Sequence, residues 1–197
     1  MKNKLISLFL IIGIILRFWQ LTKYPVSLSM DETAIGYNAY SILKTGKDEW
    51  GEFLPLAFKS VGDYKPPVNV YLTVPFIAIF GLTEFATRLP SALMGSLSIV
   101  FLVLLLIKLK ISKQSSYLTG IWLSILPWHI HFSRASFEAV TALFFLIVGT
   151  YYFISWIEKN NLFKIIISII SFSLSVWAYH AERVFVPIFV ICLIFVY

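Results

Sequence analysis

Of the 197 residues, 59% are hydrophobic and only 13% are charged, and the mean hydropathy is +0.85. A water-soluble domain is nearer half apolar and about a quarter charged, so lipid is the main solvent for this chain. The formal net charge of +6 lies in short lysine patches between apolar runs, with no basic stripe of interleaved aromatics, which excludes nucleic acid as a partner.

Lys2 and Lys4 precede an apolar run over residues 5–21, which ends with Arg17, Phe18 and Trp19 at an interfacial position. No small-x-small cleavage site follows, so the run reads as a retained signal anchor with a cytoplasmic N-terminus. Residues 22–88 form a long polar loop. Within it, Asp31 is expected to cap a helix from about Glu32 to Lys44 that stops at Gly46. Ile35, Ala39, Ile42 and Leu43 would be its apolar face. Lys65-Pro66-Pro67 then forces extended backbone into an apolar stretch, residues 68–81. About 14 residues are too few to cross roughly 30 Å of hydrocarbon, so this stretch is expected to be interfacial or re-entrant. Further spans follow at residues 89–107, 117–132, 139–157, 165–179 and 185–197. Cys192 sits in the last of these and reads as a small hydrophobe.

Charge orients the spans. Lys108, Lys110 and Lys113 form the strongest short basic loop and should share the cytoplasmic side with Lys2 and Lys4. Lys159 and Lys164 fall on that side after two more crossings. The loop 22–88 then faces outward, together with His129, His131 and His180 and with Arg134, Glu138, Glu182 and Arg183. Ionisable groups at helix ends in a membrane cost free energy unless paired or hydrated, so this outer convergence is a candidate site. The expected fold is all-α: a polytopic membrane helix bundle with a long outer loop carrying juxtamembrane helices. The apolar run reaches Tyr197 without a polar flank, so the chain reads as the N-terminal part of a larger membrane domain.

One constellation is more specific than any of its parts. Asp31-Glu32 is followed by Asn38-Ala39-Tyr40, Thr45-Gly46-Lys47-Asp48, Leu54-Pro55-Leu56 and Lys65-Pro66-Pro67 with Tyr71. Phe80-Gly81, Glu84, Arg88-Leu89-Pro90-Ser91-Ala92 and Gly95 come next, then His131-Phe132-Ser133-Arg134 with Glu138. In this order and spacing the chain resembles the polyprenol-phosphate-dependent glycosyltransferases of the C-type superfamily. The branch it is similar to contains the protein O-mannosyltransferases and the aminoarabinose transferase of lipid A.

The resemblance implies a sugar transferred from a polyprenyl-phosphate donor to an acceptor hydroxyl, on the outer face of the cytoplasmic (inner) membrane. The acceptor is left open among protein, lipid and polysaccharide. Such chemistry needs a base for the acceptor proton and cations for the departing phosphate. The resemblance gives the catalytic base role to Asp31, assisted by Glu32, and the donor phosphate to Lys65; Arg134 and Arg183 are further candidate cations, because a guanidinium grips phosphate oxygens with two donors. Arg88 with Glu84 is expected to fix the loop to the bundle. No metal is expected as cofactor: there is no tight ligand spacing, and Tyr64 stands where some relatives place a metal-binding carboxylate. Two other readings compete, a non-catalytic truncated fragment and a transporter component. The second predicts charges in mid-helix, whereas here they crowd at one mouth.

Overall fold

A computed structural model describes residues 2–60 and 62–197, with side-chain detail from Leu10 onward. The side chains of Lys2 and Lys4, which helped to orient the chain, lie outside that description. Among the described residues the chain is all-α apart from an isolated bridge between Lys47 and Phe53 and one short hairpin, β1 (Phe58–Ser60) and β2 (Asp63–Lys65), paired antiparallel with Phe58 opposite Lys65.

Helix α1 spans Lys2–Phe18 and α2 Met30–Thr45. The start of α2 corrects the expected cap. Ser29, not Asp31, is the N-cap: its hydroxyl accepts from Glu32 N at 3.2 Å, and Glu32 Oε2 accepts from Ser29 N at 2.8 Å. This reciprocal box commits Glu32 to the helix start and places Asp31 in the first turn, where the helix dipole favours a carboxylate. Gly46 ends α2 in a left-handed conformation (φ 71°), its N–H donating to Ile42 O. Ile35, Ala39 and Ile42 are buried against Phe58, Val70, Ile77 and Ala86, whereas Leu43 is exposed, so the apolar face is narrower than expected.

Helix α3 covers Pro67–Phe80, entered through extended Pro66. Its 14 residues span only about 21 Å, consistent with a helix that does not cross. Helices α4 (Glu84–Lys108) and α7 (Glu138–Lys159) are long and apolar enough to cross a membrane. The expected span at 117–132 is broken into α5 (Lys113–Ile125) and α6 (Pro127–Arg134). Pro127 disfavours helical backbone at Leu126, which is extended (φ −66°, ψ 118°), and it offers no N–H to Leu123 O.

Two arginines repair the exposed backbone at this level. Arg17, on α1, donates to Leu123 O at 3.2 Å and Ser124 O at 3.0 Å, and its Nη2 lies 2.7 Å from His129 Nδ1. Arg134, on α6, donates to the carbonyls of Leu16, Gln20 and Tyr24 at the end of α1. The end of α5 is thus capped by the arginine of α1, and the end of α1 by the arginine of α6. The approach is close enough that a Cβ on Gly13 would lie 2.2 Å from Ser124 Cβ.

Helices α8 (Leu162–Ala178) and α9 (Glu182–Val196) complete the chain. Small and hydroxyl residues let α7 and α8 pack tightly: Ser168 Oγ donates to Gly149 O at 2.8 Å and Ser175 Oγ to Ala142 O at 2.9 Å. At one end of these helices Lys108 pairs with Glu158, and Lys164 Nζ donates to Ser155 O. The opposite end carries the loop and the candidate site.

Candidate functional site

Four segments meet at that end. The first turn of α2 contributes Asp31, β2 contributes Asp63 and Lys65, the start of α7 contributes Glu138, and the turn between α8 and α9 contributes His180. Pro66-Pro67 stiffens the chain just after Lys65 and docks it on α3. Lys65 Nζ lies 2.9 Å from Asp31 Oδ1 and 3.4 Å from Asp63 Oδ2. The Lys65 side chain is 14% exposed, while those of Asp31 and Asp63 are 55% and 53% exposed, so the ammonium is sheltered and its partners face outward.

Partial burial pulls the Lys65 pKa down, but its hydrogen bond and charge pairing with Asp31, aided by Glu138 and Asp63, outweigh this and leave it above the ordinary 10.5. Lys65 is therefore a cation at any physiological pH. The Asp63 carboxyl is held below its usual value, first by the hydrogen bond from Tyr64 N and then by Lys65. Glu138 faces the same group of charges, and its Oε1 is buried without a hydrogen-bond partner among the described residues. The arrangement offers one sheltered cation between two solvent-facing carboxylates, which suits an anion that displaces one of them.

Glu32 has a different setting from its neighbour. It is 1% exposed and accepts from Arg88 Nε at 2.8 Å. Arg88, 0% exposed, also donates to Leu21 O, Pro25 O and Ser27 O at 2.8–3.0 Å. Arg88 does fix the loop to the bundle, but its main partner is Glu32; the expected partner Glu84 is 3.8 Å away. This geometry gives Glu32 a positioning part, holding the start of α2 against α4.

The remaining cations are not gathered at Lys65. Arg134 spends its guanidinium on backbone carbonyls, and Arg183 is exposed with no ion pair or side-chain hydrogen bond among the described residues. Glu138 and His180 belong to the outer convergence that the sequence predicts, without a role assigned to either there, and Asp63 closes on Lys65 through the hairpin. Among the described residues no group of three or more His, Cys, Asp or Glu is arranged to hold a metal ion.

A family model described as dolichyl-phosphate-mannose-protein mannosyltransferase matches residues 64–197. No curated protein and no solved structure matches the chain. The match includes Lys65, Arg134, Glu138 and Arg183 and begins beyond Asp31 and Glu32, which join the matched part through the Lys65–Asp31 and Glu32–Arg88 pairs. Covering more than half of a strongly apolar chain, it shows that this membrane protein belongs to the dolichyl-phosphate-mannose-protein mannosyltransferase family, a glycosyltransferase family of the C type.

Proposed function

We propose that the chain carries the donor-binding and proton-accepting groups of a glycosyltransferase that uses a polyprenyl-phosphate sugar on the outer face of the cytoplasmic membrane. The observation that carries this reading is the 2.9 Å contact between Lys65 and Asp31. It joins a sheltered cation to a solvent-facing carboxylate, the two groups that the reaction needs near one another.

At rest Lys65 is bound to Asp31. An arriving donor phosphate draws the ammonium to its oxygens and frees Asp31. The acceptor hydroxyl then attacks the anomeric carbon, giving its proton to Asp31, while the bond from that carbon to the phosphate oxygen breaks. The electron pair leaves with polyprenyl phosphate, whose charge Lys65 stabilises. Attack and departure on opposite faces of the sugar invert the anomeric centre, and the long lysine side chain lets base and cation separate to the several ångströms this requires. Arg183, exposed and uncommitted, is a second cation for the donor, and Arg134 acts through the end of α1. No metal is assigned to the step.

An apolar groove of about 350 Å³ supports a lipid-linked donor. Pro67 and Val68, two and three residues beyond Lys65, line it together with Tyr71, Leu72, Phe145 and Trp177. Support for the orientation comes from the ends of the helices, with Lys108, Glu158 and Lys164 at one end and Asp31, Lys65, Glu138 and His180 at the other. In this reading α1, α4, α5 with α6, α7, α8 and α9 make six crossings, and α3 stays on the outer side.

The test uses the full gene product with labelled polyprenyl-phosphate sugars. Asp31→Asn should abolish transfer and leave donor binding intact, and Lys65→Met should weaken donor binding. Undiminished turnover in Asp31→Asn would remove it from the base role. The acceptor, whether protein, lipid or polysaccharide, is open to the same assay.

A further inference from the structure

Lys65 ends a hairpin that contributes little rigidity of its own, and Pro66-Pro67 leads from it straight into α3. Its strands have three residues each, and an isolated hairpin of that size has marginal stability. The anchors on the loop side are buried Phe58, edge-on to Tyr71, and Trp50 Nε1 donating to Lys59 O. Both hold β1. Besides the Lys65–Asp31 side-chain pair, β2 has one tie through its backbone to an element outside the hairpin among the described residues: His180 Nε2–H donates to Tyr64 O at 2.8 Å, across 116 positions of sequence.

His180 comes from a firm base. Helix α8 stops at Ala178, Tyr179 is extended, and Tyr179 O and His180 O accept from Glu182 N and Arg183 N, which closes a tight turn into α9. Helix α8 is fixed to α7 by the Ser168 and Ser175 hydrogen bonds, and α7 begins with Glu138. A hydrogen bond to the carbonyl just before Lys65 therefore ties the lysine's backbone to the same rigid pair of helices that presents Glu138.

We propose that His180 is a positioning residue that latches β2 to the α8–α9 turn and so sets where Lys65 meets the donor phosphate. It does not touch substrate; it acts through the Tyr64 carbonyl. The donor part of this inference rests on the proposed role of Lys65, whereas the latch itself does not.

Two amide substitutions separate reach from chemistry. His180→Gln carries an N–H near the position of Nε2, and His180→Asn carries a similar N–H too short to reach Tyr64 O. In the full gene product in lipid nanodiscs, hydrogen exchange over residues 62–66 should be faster in His180→Asn and restored in His180→Gln. The donor KM should rise about 3- to 10-fold in His180→Asn, as expected for losing one hydrogen bond, and return in His180→Gln. The acceptor KM and the thermal midpoint should not move, as they would if His180 merely held the fold together. Unchanged exchange in His180→Asn, or equal effects of the two amides, would overturn the latch. Lys65→Met is the control for the donor role: an unaltered donor KM there would refute that role, while the exchange data would still decide the latch.

Discussion

The buried network around Glu32 and the open cluster around Lys65 begin one residue apart, and they use charge in opposite ways. Glu32 and Arg88 are removed from water, and the Arg88 guanidinium donates to one carboxylate and three backbone carbonyls, so little is left over for a ligand. Asp31 and Lys65 make a single contact, with more than half of the Asp31 side chain exposed. A saturated buried pair fixes geometry, because removing one partner leaves a bare charge. A half-exposed pair is weak in stability and easily exchanged, which is what a substrate anion requires. The step from Asp31 to Glu32 turns the helix surface by about 100°, enough to divide the two tasks.

That contrast breaks if substitutions on the two sides behave alike. The largest effect should be on activity: Asp31→Asn should lower turnover by roughly 100-fold or more, with a thermal midpoint close to wild type. A drop in stability matching the Arg88 variant would merge the two regions. Next, Arg88→Met should cost about 3–5 kcal/mol of stability by stranding Glu32, measured by reversible denaturation in mixed micelles. Arg134→Met should cost about 2–3 kcal/mol in the same assay, because carbonyls of Leu16, Gln20 and Tyr24 lose their donor. A selective rise in donor KM without that loss would instead make Arg134 a phosphate ligand.

Lys65→Met should reverse the pattern, raising donor KM about 10- to 100-fold while changing stability by less than about 1 kcal/mol. The smallest effect is a pH dependence. Because pairing raises the Lys65 pKa, its contribution to stability is complete below the ordinary 10.5 and is lost as pH rises through the raised value. The stability difference between wild type and Lys65→Met should accordingly be flat through neutral pH and shrink only above about that point, followed by denaturation over an alkaline series.

Periodicity and charge made the helices legible. The segments at α3, α4, α7 and α8 fall within a few residues of expectation because apolar runs and their flanking lysines follow directly from the solvent. The break at Leu126 was missed because mean apolarity conceals a proline whose effect is local. Ser29 was missed as the cap because Asp31 has an equally good capping side chain, and only the backbone conformation decides between them. In the site, Lys65 and Asp31 were named from the resemblance, but their contact spans 34 positions and no local pattern encodes it. The assignment of Arg88 to Glu32 rather than Glu84 has the same origin: spacing along one helix favours Glu84, and tertiary packing favours Glu32.

The crossed arginine caps also bear on how the chain is made. Arg17 leaves the ribosome 106 and 107 positions before Leu123 and Ser124, whose carbonyls it serves. At about 5–20 residues per second, its partners arrive roughly 5–20 s later. Through that interval Arg17 has only Gly13 O of its own helix to bind, and in the proposed topology its charge must reach toward the headgroups. The crossed contacts can therefore form only after the α5–α6 break is made, and in the proposed topology a nascent chain halted before Ser124 should keep the Arg17 end of its first helix open to the membrane surface.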